Sequence, residues 1–94
     1  MPAYVLLSRL TDHGAETIKK NPDRISEVDR EMLNWGIEVL HQFAVLGEYD
    51  FVTIVEAPND MAVARASLEI GARGSVHIET LPAIPVEDLV EAFK

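Results

Sequence analysis

Apolar and polar residues recur with two different periods along this chain, and the change from one period to the other predicts its elements. Residues 37–46 and 49–56 alternate with a period of two, as strands do, and residues 75–81 repeat the pattern. Residues 3–10 are apolar at nearly every position, which is typical of a strand covered on both faces. Four strands are therefore predicted. In the second strand, strict alternation gives one face to Ile37, Val39, His41, Phe43 and Val45.

Helical spacing fills the intervals between these strands. Thr11 or Asp12 can cap a first short helix that runs to Lys20, where Asn21-Pro22 interrupts it. A second helical segment then ends at Gly36, and its apolar stripe consists of Ile25, Val28, Met32 and Trp35. After a cap at Asn59 or Asp60, another stripe is formed by Met61, Ala64, Leu68 and Ala72 and is widened by Ala62, Ala66 and Ile70. Residues 85–94 form a short amphipathic helix whose apolar side consists of Val86, Leu89, Val90 and Phe93.

The resulting order, β-α-β-β-α-β with a helical tail, predicts one α+β domain over residues 1–94. It is the order of a ferredoxin-like fold, a four-stranded antiparallel sheet with its helices on one face. The open face of the sheet would then carry apolar residues such as Leu40, Phe43 or Phe51. A second copy is the simplest cover for such a face, so we expect a homodimer or higher homo-oligomer packed through its sheets.

Two neighbouring strands, residues 37–46 and 49–56, meet at Gly47-Glu48, and a glycine in the first central position of the turn predicts a two-residue type II′ turn. Tyr49 and Asp50 follow at the exit of the turn and alternate to opposite faces. The simplest role for Asp50 is to accept backbone N–H groups at the hairpin. The simplest role for Tyr49 is packing with its hydroxyl at the sheet edge. We therefore interpret this motif as structural.

Three segments resemble the GYD domain family. They are Gly47-x-Tyr49-Asp50, Leu10-Thr11-Asp12-x-Gly14 and Gly74-x-Val76-x-x-Glu79-Thr80, and the resemblance spans residues 2–84. It implies a ferredoxin-like domain of the dimeric α/β barrel type, in a family whose function is largely uncharacterised. A looser similarity is to the ligand-binding domain of leucine-responsive transcription regulators, without their helix-turn-helix region. Dimeric barrel enzymes such as muconolactone isomerase and cofactor-free monooxygenases are similar by fold only.

Composition narrows the classes of partner. The 94 residues include 16 acidic and 8 basic side chains, for a net charge of −8. This charge argues against nucleic acid and against anionic membrane surfaces as partners. The absence of cysteine excludes disulfides and thiolate chemistry. The first residues lack a basic segment followed by a long apolar one, so we expect a cytoplasmic protein.

Candidate functional residues are few. His41 and His77 are the residues best suited to acid–base catalysis, and with His13 they fit no metal-ligand spacing, so no metal or cofactor is expected. Hydrogen-bonded or solvated surface roles are the simpler interpretation of each histidine. If a cavity lies at the open sheet face, the side chains expected to bind a ligand there are Trp35, His41, Tyr49, Thr53, His77 and Glu79. A solvated helix face is the simplest interpretation of the acidic residues Glu16, Glu27, Asp29 and Glu31.

Three functions remain open from the sequence, and the first of them is favoured. The first is an oligomeric module that binds or senses a small molecule at the sheet face or subunit interface. The second is a cofactor-free barrel enzyme, an isomerase or a monooxygenase, in which His41 or His77 is the acid or base. The third is a structural or interaction subunit.

Overall fold

A computed structural model describes all residues from Met1 to Lys94. Four strands and four helices follow one another along the chain. The strands are β1 (Ala3–Leu10), β2 (Glu38–Ala44), β3 (Phe51–Glu56) and β4 (Val76–Ala83). The helices are α1 (Asp12–Lys20), α2 (Arg24–Asn34), α3 (Asp60–Gly71) and α4 (Val86–Ala92). The order of these elements agrees with the order predicted from the sequence.

The four strands form one antiparallel sheet in the order β2-β3-β1-β4, so that β1 and β3 are central. The pairing of Tyr4 with Val55 and of Leu6 with Thr53 fixes which side chains share a face. All four of these residues are buried beneath the helices. The ferredoxin-like fold with helices on one face of the sheet is therefore confirmed.

The core lies between the sheet and the two long helices. It joins Tyr4 and Leu6 of β1 and Val55 of β3 to residues of α2 and α3, namely Met32, Val63, Ala66 and Ile70. The one polar group of the Tyr4 side chain is satisfied, because its hydroxyl donates a hydrogen bond of 2.6 Å to Asp60 at the start of α3. This bond ties the first strand to the third helix.

The helix boundaries follow from their caps. Thr11 Oγ1 accepts a hydrogen bond from Gly14 N and caps α1, while Asn59 Oδ1 accepts from Ala62 N and caps α3. Asn21 and Pro22 separate α1 from α2, as predicted. None of the helices combines the length and the apolar character needed to cross a membrane.

Strand β2 differs from the prediction because it contains a β-bulge between Val39 and His41. Val39 pairs with Val55 and faces the helices, whereas His41 and Phe43 face the open side. The prediction that Val39, His41 and Phe43 share a face was therefore wrong. One extra residue in a strand reverses the facing of every residue after it.

The expected positions of three other features also need correction. Phe51 lies on the helical side of the sheet with Leu6, and not on the open face, because it is in phase with Thr53. Strand β3 begins at Phe51, two residues later than predicted, and β4 continues past Leu81 to Ala83. Pro82 is accommodated within β4 because this strand is at the edge of the sheet, where a missing N–H costs no ladder bond.

The connection from β2 to β3 is longer than the predicted two-residue turn. It spans residues 45–50 and is closed by a hydrogen bond of 2.9 Å from Val45 N to Asp50 O. Gly47 has φ +125°, a conformation in the region that favours glycine. The need for glycine was thus predicted correctly, whereas the turn type was wrong.

Helix α4 extends away from the rest of the molecule. None of its residues is buried. Val86 at its start is 68% exposed, and Phe93, which follows its last residue, is 87% exposed. The molecule is accordingly elongated, with principal extents of 51 × 29 × 19 Å. The apolar side of this helix has no cover within its own chain.

Candidate functional site

The open face of the sheet is largely apolar. Phe43, Leu40 and Leu81 are 56%, 41% and 40% exposed, respectively. Half-buried aliphatic residues of the central strands fill the area between them, namely Val5, Leu7, Val52 and Ile54. An apolar sheet face of this kind is characteristic of a surface that binds another protein chain.

Both histidine candidates face this open side, but they lie at opposite edges of the sheet. Across the sheet, His41 on β2 pairs with Ile54 on β3, which pairs with Val5 on β1, which in turn pairs with Leu81 on β4. His77 lies four residues before Leu81 on β4 and pairs with Arg9. Three strand spacings and four residues along β4 separate the two side chains, which corresponds to about 20 Å. His41 and His77 therefore do not converge on one cavity within a single chain. His41 instead stacks on Phe43, with ring centroids 6.4 Å apart.

Tyr49 and Glu79 are brought together at the β4 edge. The Tyr49 hydroxyl donates a hydrogen bond of 2.5 Å to Glu79 Oε2, and the guanidinium of Arg9 lies 5.4 Å from the centre of the tyrosine ring. Arg9 also forms an ion pair of 2.7 Å with Glu48. The bond to Glu79 raises the pKa of Tyr49, followed in importance by desolvation and by the nearby negative charges. A phenol held in its neutral form at this site is a poor nucleophile or base.

Asp50 has the structural contacts expected from the sequence. Its Oδ2 accepts a hydrogen bond of 2.8 Å from Leu10 N, and its own N–H donates to Ser8 O at 2.8 Å. The loop that carries Gly47, Tyr49 and Asp50 is thus tied to β1 by Asp50 and to β4 by the tyrosine. These contacts are those of a motif that positions a loop.

Trp35 lies far from the other candidates. It follows α2 and lines a second pocket, on the helical side, together with Asn34, Ala62, Arg65, Ala66 and Glu69. The tryptophan is therefore on the opposite side of the sheet from His41, His77 and Glu79. Nowhere in the chain do three or more histidine or carboxylate side chains converge as metal ligands.

Thr53 belongs to a different site, a cleft on the helical side of the sheet. This cleft has a volume of about 130 Å³ and lies between α1, α2 and the sheet. Its walls are mainly aliphatic or aromatic and include Leu6, Ile18, Ile25, Val28, Phe51 and Ile78. Several of these side chains are only half-buried, because α1 and α2 do not close completely over the sheet.

A short chain of polar groups lies in this apolar cleft. Gln42 Nε2 donates to Thr53 Oγ1 at 3.2 Å and to Asp29 Oδ1 at 3.3 Å. Thr53 is only 3% exposed, and Asp29 is half-buried. Burial raises the pKa of the Asp29 carboxyl group, and the hydrogen bond from Gln42 opposes this effect only in part.

Two arginines at the cleft are already paired. Arg73, which follows α3, forms a two-pronged interaction with Glu31 of α2, with distances of 2.5 and 2.9 Å. Arg24 lies 3.5 Å from Glu31 and 3.6 Å from Glu27. The hydrogen bond from Arg73 is the main reason that the pKa of Glu31 is lowered.

Sequence reasoning did not identify Asp29 and Gln42 as site residues. Asp29 was expected on a solvated helix face with other acids, but it borders the apolar stripe next to Val28 and turns towards the sheet. The prediction that Gln42 and His41 lie on opposite faces was correct. The bulge in β2 was not foreseen, however, and regular alternation from Val39 would have turned Gln42 away from the helices. A polar residue adjacent to an apolar stripe is the one signal that could have marked Asp29.

Comparison with known proteins agrees with this architecture. The GYD domain model matches residues 4–93. The glutamine synthetase and cystathionine beta-lyase binding protein of Thermus thermophilus is 54% identical over 95 residues, and the alignment covers 100% of both chains.

A solved structure shows the same fold at low sequence identity. This crystal structure of a protein from Thermus thermophilus aligns with a TM-score of 0.57 and 18% identity, covering 90% of this chain and 95% of the other. A dimeric ferredoxin-like protein from an uncultured marine organism aligns with a TM-score of 0.43 and 10% identity, covering 90% and 96%. The match of the family model over almost the whole chain, together with the motif at Gly47, Tyr49 and Asp50, shows that this protein belongs to the GYD domain family.

Proposed function

We propose that this protein is an adaptor that binds a metabolic enzyme, of the glutamine synthetase or cystathionine beta-lyase class. The observation that carries the proposal is the relative with a binding role in its name, which is 54% identical and aligned over the full length of both chains. Only 11 of the 94 residues are buried, so identity at this level must extend to many exposed positions. Of the three functions left open by the sequence, we therefore favour the interaction subunit.

The surface of the molecule supports a role in binding other chains. Large apolar side chains are exposed both on the open sheet face and along α4, including Phe43, Leu81, Leu89 and Phe93. A monomer in water gains nothing from such exposure, and surfaces of this kind usually mark protein interfaces. We assign the open sheet face to self-association, since a two-fold dimer would cover it with an identical apolar face.

The proposal is tested by measuring binding between purified partners. The protein is immobilised, and purified glutamine synthetase and cystathionine beta-lyase from its own source organism are titrated over it by biolayer interferometry. We expect saturable binding of at least one enzyme, with a Kd in the micromolar range or tighter. An unrelated acidic protein of similar size serves as the immobilised control. Absence of binding by both enzymes, with and without their substrates, would contradict the adaptor function.

A second candidate function is small-molecule binding, which the cleft containing Asp29, Gln42 and Thr53 favours. The cofactor-free enzyme is supported less well, because the two histidines that would provide acid–base catalysis lie about 20 Å apart.

A further inference from the structure

The cleft between α1, α2 and the sheet has the composition of a small-ligand site. Apolar side chains form most of its surface, and a few polar groups converge at one place, which is the usual organisation of a binding pocket. The polar groups are Asp29, Gln42 and Thr53, which are linked by hydrogen bonds of 3.3 and 3.2 Å. A ligand entering here would meet a polar end and an apolar remainder.

The charges at the cleft favour a cation over an anion. Of the three ionisable side chains that line it, Arg24 and Arg73 are paired with Glu31, and Arg24 also with Glu27. Asp29 takes part in none of the ion pairs of the molecule, and its only side-chain partner is the neutral amide of Gln42. The carboxylate of Asp29 is therefore the one lining charge without an opposite charge beside it.

The volume of the cleft limits the size of the ligand. Its 130 Å³ is similar to the roughly 150 Å³ of an apolar cavity that accommodates benzene, a molecule of about six non-hydrogen atoms. A nucleotide or a sugar phosphate is much larger than this space. The part of a ligand that the cleft itself holds must therefore be short, with one polar end.

We propose that this cleft binds a small primary amine, with its ammonium group against Asp29 and its hydrocarbon chain against Leu6, Val28 and Phe51. The ammonium donates hydrogen bonds to the carboxylate of Asp29, while Gln42 holds that carboxylate in place from the other side. An ammonium brings a full positive charge to the carboxylate, whereas a hydroxyl brings only a dipole, and in partly apolar surroundings this difference sets the preference for an amine over an alcohol. The inference does not rest on the adaptor function, since it is drawn from the lining and the charges of the cleft alone.

The test compares three probes with the same branched chain and different polar ends, namely isopentylamine, isopentanol and 3-methylbutanoate. Each is titrated into the full chain, and binding is followed by NMR through the amide signals of α2 and β2. We expect saturable binding of isopentylamine with a Kd in the millimolar range or tighter. Isopentanol should bind about tenfold more weakly, because its hydroxyl carries no positive charge to be attracted by the carboxylate, and 3-methylbutanoate should not bind.

The variant Asp29→Asn separates recognition of the charge from the shape of the cleft. It should weaken the binding of isopentylamine by about tenfold and that of isopentanol by clearly less, since the amide oxygen of asparagine still accepts a hydrogen bond but carries no charge to attract the ammonium. The matched control Asp88→Asn removes an exposed carboxylate of α4 and should leave both affinities unchanged. The ratio of amine to alcohol affinity in the unmodified protein tests the proposal even if a variant does not fold.

Three results would overturn the proposal. They are the absence of saturable binding by isopentylamine, equal affinities for the amine and the carboxylate, and an undiminished amine affinity in Asp29→Asn. None of them bears on the binding of glutamine synthetase or cystathionine beta-lyase, so the two proposals can fail separately.

Discussion

Two aspartates show how differently one residue type behaves in this protein. Asp50 accepts a backbone N–H from Leu10 and joins a loop to β1, a role that its position after a turn predicted. Asp29 is half-buried in an apolar cleft and bonded to Gln42, which its position in a charged helix did not predict. The difference depends on tertiary packing, because it is the sheet beneath α2 that removes water from Asp29.

Replacing Asp29 with asparagine should raise the free energy of unfolding at neutral pH, by less than about 1 kcal/mol because water still screens the half-buried group. Burial raises the pKa of Asp29 above its ordinary 3.8, so the folded protein favours the protonated form. The stability contributed by this preference is complete below pH 3.8 and is lost as the pH rises through the raised pKa. The neutral amide of the variant does not titrate and avoids this loss.

Urea unfolding of both proteins, below pH 3.8 and at neutral pH, measures the effect. The advantage of Asp29→Asn should be present at neutral pH and absent in acid. A variant that is less stable than the unmodified protein at neutral pH would show that the carboxylate makes a favourable interaction not accounted for by its contact with Gln42.

The two tyrosines should ionise above their ordinary range in the folded protein. Each hydroxyl donates to a carboxylate, Tyr4 to Asp60 at 2.6 Å and Tyr49 to Glu79 at 2.5 Å. These bonds are the main cause of a raised pKa for both groups, relative to 10.0. The stability that they contribute should therefore be complete below pH 10.0 and decrease as the pH rises through the raised values.

Tyrosinate absorbance provides the measurement. The titration curve of the folded protein should lie at higher pH than the curve in concentrated urea, and Tyr49→Phe should leave a single raised transition from Tyr4. Coincidence of the folded and unfolded curves would show that the two carboxylates do not hold the phenols in solution.

At the scale of elements, sequence periodicity was sufficient for the order and type of all four strands and all four helices. It failed where one residue changes the phase, as at the bulge between Val39 and His41, and where a loop is closed by distant contacts, as between Val45 and Asp50. Alternation assumes that a strand is regular, and a bulge has no reliable signal in a single sequence. The lining of the cleft depends on which side of the sheet Gln42 and Phe51 face, so it could not be predicted from the sequence.

Gly14 should be the glycine least tolerant of substitution. In Gly14→Ala, the new Cβ would lie 1.9 Å from the carbonyl oxygen of Ser75, so that α1 must move away from the chain that precedes β4. We expect a loss of about 3 kcal/mol of unfolding free energy, at the upper end of the usual cost of overpacking.

Gly71→Ala is the matched control for this change. Its Cβ would be 3.9 Å from the nearest atom, Val76 O, which is an ordinary contact, and alanine favours helix at the end of α3. Thermal unfolding should show Gly71→Ala at or slightly above the unmodified protein and Gly14→Ala far below it. Similar melting temperatures for the two variants would mean that α1 is not held closely against Ser75.

The whole molecule is more extended than its length requires. Its radius of gyration is 14.1 Å, whereas a compact domain of this size has a value of about 12.4 Å. Helix α4, none of whose residues is buried, contributes to this extension, and a helix of seven residues is only marginally stable without tertiary contacts. We therefore expect α4, like the open sheet face, to be covered in the assembled state.

Phe43→Glu should separate the subunits of the proposed dimer without unfolding them. Phe43 is 56% exposed on the open face, so a charge there is tolerated in a monomer but would be buried between two sheets. Sedimentation velocity at low micromolar concentration should show a dimer for the unmodified protein and a monomer for the variant, with unchanged circular dichroism.

Leu46→Glu is the control. Leu46 is fully exposed at the tip of the loop between β2 and β3, so this substitution should leave the dimer intact. A monomeric unmodified protein, or dimers of equal strength in both variants, would exclude the open face as the site of self-association.

The bulge in β2 sets the phase of both sides of the sheet at once. If the strand kept its present length but paired regularly from Val39 onwards, Gln42 would turn to the open face and Phe43 towards the helices. The same change would remove the hydrogen-bond partner of Asp29 and would remove the most exposed aromatic ring from the open face. A strand shortened by the one surplus residue at Leu40 would instead pair regularly and keep both side chains where they are. The two surfaces are therefore compatible with a shorter strand, but not with a regular strand of the present length.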